Sequence, residues 1–392
     1  MSIYRIRKGK TTNTEGRSRR TPVWILFVVL ALVVAACGGD TAEPATTQPA
    51  ADEPATTQPA DDEDMEEPEK PDRLIVRTWG DPWQSTYAEG PAAAFTAKTG
   101  IPVEFDLTDY NEIQAKVQQA VAANQRPPVD VVLSIESVTF LAQVQGISAP
   151  LDRDLLTNLN ESSALAMPAG ATNYVNVATY SQPIVYNPDA VDLPDDISWE
   201  EIFDPKYAGQ LFVTSTPDSL LFPVAKMLGL DIENDDLTPA FDKIATLAPN
   251  IVATGDEEEF IAGMDSGEIT LGITLVATAL ELEGLAWVVP AEGATVQLES
   301  LWVPAGLPDN VTYWATVFVN EVLSAESQTA IAEFIGEGPV NFNAAIPDFM
   351  IGDPAFPATA EDLDKYAIVV PAEVVARNKD VWQAAYSAAI QQ

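Results

Sequence analysis

Residues 73–134 read RLIVRTWGDPWQSTYAEGPAAAFTAKTGIPVEFDLTDYNEIQAKVQQAVAANQRPPVDVVLS. This stretch contains three short apolar runs typical of strands buried in a sheet, at 74–76, 103–107 and 129–133. Two segments of helical pattern lie between them, at 87–98 and 112–123. Alternation of this kind predicts a parallel sheet with right-handed crossovers.

A second set of alternating elements follows further along the chain. Strand-like runs lie at 210–214, 269–273 and 287–290, and helical patterns lie at 220–228, 238–247, 311–334 and 372–390. Two such sets within one chain predict an α/β fold with two lobes. Small-molecule sites in these sheets lie beyond the carboxyl ends of the strands, and clefts are favoured where lobes meet.

The composition excludes several classes of function. The 392 residues carry a formal charge of −39, which would repel the phosphate backbone of a nucleic acid. The chain has no histidine and one cysteine, Cys37. Ser-His-Asp and Cys-His catalytic systems, the usual His/Cys sites for zinc or copper, and an internal disulfide are therefore excluded, and we expect no metal and no cofactor.

The N-terminal region is typical of an exported lipoprotein. Seven lysines and arginines precede an apolar stretch that ends at Ala36, so residues 1–36 predict a signal peptide. The segment Val34-Ala35-Ala36-Cys37 resembles a bacterial lipobox, whose cysteine is acylated. Residues 37–72 are rich in Ala, Pro, Thr, Asp and Glu and repeat EPATTQPA, which predicts an acidic disordered tether.

Seven short segments carry recognisable motifs. They lie at residues 78–79, 95–103, 129–132, 185–191, 198–209, 289–293 and 323–328. Each also has a purely structural explanation; Trp199 and Phe203, for example, lie four residues apart on one helical face. In order and spacing, however, the segments together resemble the extracellular solute-binding proteins of family 1, and within it the spermidine/putrescine-type branch. The resemblance covers about 270 residues, from 73 to 341.

This resemblance implies a two-lobed fold of the periplasmic-binding-protein type II, with a hinge and a cleft between the lobes. It places residues 73–180 with about 300–335 in an N-terminal lobe, and residues 181–299 with about 336–392 in a C-terminal lobe. It also implies a non-enzymatic, monomeric receptor that delivers a small solute to the permease and ATPase of an ABC importer. Such a protein would be lipid-anchored to the outer face of the cytoplasmic membrane.

The polyamine branch further implies a set of ligand contacts, in which aromatic rings stack on the methylene chain and carboxylates receive the ammonium groups. Trp79 retains an aromatic residue after the first strand, and Glu299 lies where the branch has an amine-binding aspartate. Gln297 occupies the position of a tryptophan. The full set of expected contacts is Trp79, Ser134, Glu136, Tyr180, Gln182, Thr216, Asp218 and Glu299.

Several alternatives to a polyamine-like or other organic amine ligand stay open. A receptor of the same fold for a ferric ion would use neighbouring tyrosines, and the chain has no adjacent Tyr-Tyr pair. A neutral or zwitterionic metabolite is a second alternative. An acid-based glycosidase is a third, since 59 acidic residues are present, and a structural surface protein would account for the anchor and tether alone.

The predicted lipid modification has a direct test. Because acylation at Cys37 precedes removal of the signal peptide in lipoproteins, treatment with globomycin is expected to leave an unprocessed precursor. Immunoblotting of treated and untreated cells measures this. Normal maturation in the presence of the drug would contradict the lipoprotein interpretation.

Overall fold

The computed structural model describes residues 67–194 and 196–391. The predicted signal peptide, Cys37 and the predicted tether as far as residue 66 lie outside these residues. Within the described ranges, no helix combines the length and the apolar character that a membrane span requires. Pro68 is already held to the folded chain, because its carbonyl accepts a hydrogen bond from Trp314 Nε1 at 3.2 Å.

Strands and helices alternate along much of the described chain. The strands are β1 (Leu74–Arg77), β2 (Val103–Asp106), β3 (Val131–Ile135), β4 (Tyr174–Gln182), β5 (Ile184–Tyr186), β6 (Leu211–Thr214), β7 (Ile251–Gly255), β8 (Leu271–Ile273), β9 (Ala286–Val288), β10 (Ala294–Trp302), β11 (Gly338–Pro339) and β12 (Ala367–Ile368). The helices are α1 (Trp83–Glu89), α2 (Pro91–Thr99), α3 (Tyr110–Ala122), α4 (Glu136–Val144), α5 (Asp218–Met227), α6 (Thr238–Ala245), α7 (Glu257–Ser266), α8 (Val276–Glu281), α9 (Asp309–Val322), α10 (Ala325–Phe334), α11 (Ala360–Tyr366) and α12 (Ala372–Ile390).

These strands form two separate sheets. The first has seven strands in the order β11-β4-β10-β3-β1-β2, with β12 paired to β10, and the second has five in the order β7-β6-β8-β5-β9. In the first sheet β1 pairs in parallel with β2 and β3, whereas β10 is antiparallel to β3 and β4. In the second, β6 pairs in parallel with β7 and β8, and β5 is antiparallel to β8 and β9. The parallel pairs agree with the predicted strand–helix alternation.

The strands of the two sheets are connected at two neighbouring points, and the chain passes to the second lobe once more after β11, between Val340 in the first core and Met350 in a core with Trp287. It leaves the first sheet at the end of β4 and enters β5 after Pro183 alone, and it returns from β9 to β10 through residues 289–293. The two crossings lie side by side because Gln182, at the end of β4, pairs with Thr295 near the start of β10. The 9-residue strands β4 and β10 thus form an antiparallel ladder that ends where the second sheet begins.

Each sheet has its own hydrophobic core. Phe95, Trp314 and Phe318 pack with β1 and β3 in the first, and Trp199, Phe222 and Tyr386 pack with β6 and β8 in the second. The buried apolar surface is therefore divided between two bodies, and the predicted two-lobed α/β fold is confirmed.

Two local predictions differ from the structure. The helix predicted at 87–98 is two helices, because Pro91 lacks an N–H group and restricts Gly90, so α1 ends and α2 begins there. Strands β4 and β10 were not predicted as such. They lack clean alternation because both faces are buried, and polar side chains such as Asn176 and Ser300 bond each other at 2.6 Å inside the sheet.

Gln328 on α10 ties three parts of the first lobe together. Its side chain is fully buried, and its amide nitrogen donates to the carbonyls of Val177 at 2.8 Å and Val322 at 3.0 Å. Its amide oxygen accepts from the backbone N–H of Val340 at 2.8 Å. One amide group thus connects β4, the end of α9 and the chain beyond β11.

Replacing this residue tests that connection. Gln328→Leu keeps a similar volume but leaves buried backbone groups without these partners, so we expect the free energy of unfolding to fall by about 2–4 kcal/mol. Urea unfolding followed by tryptophan fluorescence measures the change. The exposed Gln119→Leu is the matched control and should stay within about 0.5 kcal/mol of the wild type; equal stability of Gln328→Leu would contradict the assignment.

Candidate functional site

Chemically active side chains collect at the carboxyl ends of the parallel strands of both sheets. Trp79 follows β1, Tyr110 opens α3 after β2, and Glu136 opens α4 after β3. In the second sheet, Asp218 opens α5 after β6. This edge is where ligands bind in open α/β sheets, so it is the candidate site.

A hydrogen-bonded network joins the two lobes at this edge. The Tyr180 hydroxyl donates to Gln297 Oε1 at 2.9 Å, and Gln297 Nε2 donates to Asp218 Oδ2 at 3.3 Å and to Gln182 Oε1 at 3.4 Å. Thr295 Oγ1 donates to the carbonyl of Asp218 at 2.9 Å. Removal from water raises the pKa of Asp218 to about 6, although the bond from Gln297 acts in the opposite direction.

A small cavity lies beside this network. It has a volume of about 30 Å³ and is lined by Glu136 of α4, Asp218 of α5, and Thr295 and Gln297 of β10. Burial raises the pKa of Glu136, whose carboxylate accepts from Asn176 Nδ2 at 2.9 Å. Such a cavity holds roughly two water molecules and no organic solute.

An arginine and three aromatic rings form the first-lobe side of the edge. The Arg77 guanidinium lies 4.8 Å from the centroid of Trp79 and 5.6 Å from that of Tyr110, and Trp83 lies 5.9 Å from Trp79. Arg77 is 2% exposed and donates to the carbonyls of Thr108 at 2.8 Å and Leu133 at 2.6 Å. Burial lowers its pKa to about 10, so it stays cationic at neutral pH.

Two buried carboxyl groups lie next to these rings. Glu299 is 4% exposed and accepts a hydrogen bond from Trp83 Nε1 at 3.1 Å, while Glu337 is 1% exposed. The two carboxyl groups lie within hydrogen-bonding reach of each other. Burial raises the pKa of Glu299 to about 8, with Arg77 opposing the increase, and raises that of Glu337 well above its ordinary value, where Glu299 adds to the effect.

The segment that carries Glu337 lies between the two lobes. Gly336 has a φ of +83°, and a Cβ atom there would come within 2.5 Å of Leu280 Cδ1 on α8 of the second lobe. Two residues on, Gly338 pairs with Thr179 of β4 in the first lobe. Glu337 is thus held at the boundary between the lobes by backbone that only glycine accommodates on the α8 side.

Several buried polar atoms near this edge have no partner among the described residues. They are both carboxyl oxygens of Glu337, the Tyr87 hydroxyl, Thr78 Oγ1 after β1 and Thr274 Oγ1 after β8. The pKa of Tyr87 is raised by burial and by the charges of Glu299 and Glu337, which places its ring close to the pair. Buried polar groups are normally hydrogen-bonded, so these atoms indicate a surface that a ligand or water completes.

Most of the residues expected from sequence lie in this region. Trp79, Glu136, Tyr180, Gln182, Asp218 and Glu299 belong to the groups described above. The structure places the other two elsewhere. Ser134 is fully buried and bonded to Thr139 Oγ1 at 2.7 Å and Trp302 Nε1 at 3.3 Å, and Thr216 is exposed and contributes its carbonyl to Thr214.

Four members of the site were missed by sequence reasoning. Tyr110 has a usable signal, since it opens the helix that follows β2, and Trp83 lies four residues beyond Trp79. Arg77 was missed because it lies within a strand whose other residues are apolar. Glu337 has no local signal at all, because its position depends on β11 pairing with β4, a contact between residues about 160 positions apart.

The described residues offer no ready metal site. No group of three or more histidine, cysteine, aspartate or glutamate side chains among residues 67–194 and 196–391 is placed to hold a metal ion.

Comparison with known proteins places this geometry in a family. The profile of a bacterial extracellular solute-binding protein family matches residues 91–358. The spermidine/putrescine-binding periplasmic protein of Escherichia coli (strain K12) is 24% identical over 281 residues, which cover 67% of this chain and 77% of the relative. Iron uptake protein A1 of Synechocystis sp. is 25% identical over 310 residues, covering 74% and 83%.

A solved structure has the same fold. The spermidine/putrescine ABC transporter substrate-binding protein PotD from Streptococcus pneumoniae superimposes with a TM-score of 0.66 at 21% identity. The match covers 81% of this chain and all of that protein.

The raised pKa of the buried pair predicts how stability varies with pH. Between the ordinary 4.5 and about 8, the folded protein keeps a proton on Glu299 that the unfolded chain releases, so the free energy of unfolding must fall as pH rises. The slope is at most about 1.4 kcal/mol per pH unit for one proton.

Denaturant unfolding of the ligand-free protein across this range measures the slope. Glu299→Gln removes one of the two titrating carboxyl groups, so its curve should fall less steeply, and the variant should gain stability relative to the wild type as pH rises. Parallel curves would contradict a protonated carboxyl at this position. The exposed Glu333→Gln should follow the wild type throughout.

Proposed function

The chain belongs to the bacterial extracellular solute-binding protein family, and from this premise we propose that its lobes close over a small organic cation bearing an ammonium group. The observation that carries the proposal is the collection of buried carboxyl groups and aromatic rings at one edge of the sheets. The spermidine/putrescine-binding relative supports the same ligand class.

The charges of the edge favour a cation. Glu299 and Glu337 are almost fully buried and Asp218 is half-buried, and none of them forms an ion pair with a lysine or arginine among the described residues. Arg77 supplies one nearby positive charge. A buried carboxylate without a counter-ion is costly, so a ligand ammonium group would stabilise the closed state.

The aromatic rings favour a cation with an apolar body. Trp79, Trp83 and Tyr110 line the first-lobe side, and their faces attract ammonium groups and pack against methylene chains. Trp83 also orients Glu299 through its indole N–H. Rings and carboxyl groups together match the chemistry of an alkyl amine.

We propose that the hinge includes the two connections between the sheets, at Pro183 and at residues 289–293. Both join the sheets through short connections beside the end of the β4–β10 ladder, so small backbone rotations there would move one lobe against the other. The cavity of about 30 Å³ supports this, because no solute enters it unless the lobes open. Binding to the closed state more tightly than to the open one would then drive closure.

The wider role follows from the family. We propose that the protein is a monomeric, non-enzymatic receptor that hands its solute to the permease and ATPase of an ABC importer. The protein would lie outside the cytoplasmic membrane and would be anchored to it by lipid at Cys37. The named relative is periplasmic, which supports an extracytoplasmic location.

A zwitterionic ligand is a second candidate, supported by Arg77. Its guanidinium is buried and bonded to two carbonyl groups, and it forms no ion pair with a described carboxylate. A ligand carboxylate near Arg77, together with an ammonium group near Glu299, would describe an amino acid with a long spacing between its charges.

A ligand screen distinguishes these candidates. Putrescine, spermidine, γ-aminobutyrate, neutral sugars and ferric citrate are each added in a thermal-shift assay, where a ligand at 100 times its dissociation constant adds about 2.7 kcal/mol. We expect the amines to raise the melting temperature most. The active amine should also lower the radius of gyration in small-angle scattering.

Variants then test the site itself. Glu299→Gln should weaken the active amine at least about tenfold, because it removes a buried charge that the ammonium group meets. Glu333→Gln, exposed on α10, should bind as the wild type does. Stabilisation by sugars or ferric citrate alone, or unchanged affinity in Glu299→Gln, would contradict the amine assignment.

A further inference from the structure

The Glu299–Glu337 pair is buried at the boundary between the lobes. Both side chains are at least 95% buried, and the oxygens of Glu337 meet no donor among the described residues. Two ionised carboxylates next to each other, shielded from water, repel each other strongly. The pair is therefore expected to keep at least one proton as long as no other cation is present.

The groups that face the pair limit its possible charge states. They come from three elements: Arg77 at the end of β1, Tyr87 on α1 and Tyr180 on β4. Burial raises the pKa of both tyrosines well above the ordinary value, so both are neutral. Trp83 is an uncharged donor. Arg77 is thus the one cation near the pair in the described chain.

Each proton that the pair loses adds one negative charge to this buried cluster. Arg77 offsets part of that charge, but it also faces Asp109 and Asp106. A primary ammonium group supplies one positive charge in place of the proton and donates hydrogen bonds that Glu337 lacks.

We propose that the Glu299–Glu337 pair holds at least one proton in the ligand-free protein and releases one to solvent when the ammonium group of the ligand takes its place. This rests on the proposed function. The exchange balances: a bound carboxylic proton leaves as H⁺, an R-NH₃⁺ group enters with all its protons, and the charge of the cluster is the same before and after.

The exchange makes solute capture depend on pH. Where the ligand-free pair is protonated, binding must expel a proton, so affinity rises up to about tenfold for each pH unit. Above the pH at which the ligand-free pair loses its proton, the affinity becomes constant. The raised pKa of Glu299, about 8, places neutral pH in the rising part of the curve.

Calorimetry with putrescine measures the exchange. Titrations near pH 7 are repeated in buffers of different ionisation enthalpy, and the slope of observed against ionisation enthalpy gives the protons released. We expect about one proton for the wild type and for Glu333→Gln. Glu337→Gln should release none, bind at least tenfold more weakly and lose the rise of affinity with pH.

An infrared measurement keeps the test valid if Glu337→Gln folds poorly. The carbonyl band of a protonated carboxylic acid should be present in the ligand-free wild type near pH 7 and disappear when putrescine is added. Its persistence in the complex would overturn the exchange.

The remaining outcomes separate this inference from the proposed function. Binding of putrescine without proton release overturns the exchange and leaves the amine receptor intact. Failure of putrescine and spermidine to bind at all overturns the amine receptor, and the exchange with it. Proton release on addition of calcium chloride, but not of either amine, overturns the exchange by assigning the pair to a metal ion.

Discussion

The backbone ladder between β4 and β10 is the constraint on which the rest of the structure depends. Both strands belong to the first sheet, and both pass into the second sheet from the same end of their pairing. The ladder brings Tyr180 opposite Gln297 and Ala178 opposite Glu299, so the amide network and the buried acid lie on adjacent strands. It also places the two crossings side by side. Loss of this register would displace the site and the proposed hinge together.

Buried charge is the second main feature of the site. Arg77, Glu299 and Glu337 are each almost completely buried, which in isolation would be unfavourable for every one of them. They are tolerated because they lie close enough to offset each other, and because Trp83 and backbone carbonyls satisfy part of their hydrogen-bonding capacity. The atoms left unsatisfied are those that the proposed solute would complete.

The sequence left several ligand classes open for this fold. Relatives of this family include a spermidine/putrescine-binding protein and an iron uptake protein, so the fold alone does not select the ligand. The proposed amine ligand rests on the buried pair and its aromatic neighbours.

The sequence by itself determined the α/β class, the two-lobed organisation and the approximate positions of β1, β2, β3, β6 and β8, because apolar runs such as 74–76 are local signals of burial. It also proposed Trp79, Asp218 and Glu299 as candidate contacts, since they follow strands or lie in family motifs. The tertiary structure alone decided that Ser134 lies in the core, that β4 and β10 are strands despite their polar residues, and that Glu337 meets Glu299. The reason is physical. The burial of a segment can be inferred from the pattern of apolar residues within that segment, whereas the approach of two carboxyl groups depends on the pairing of strands that are distant in sequence.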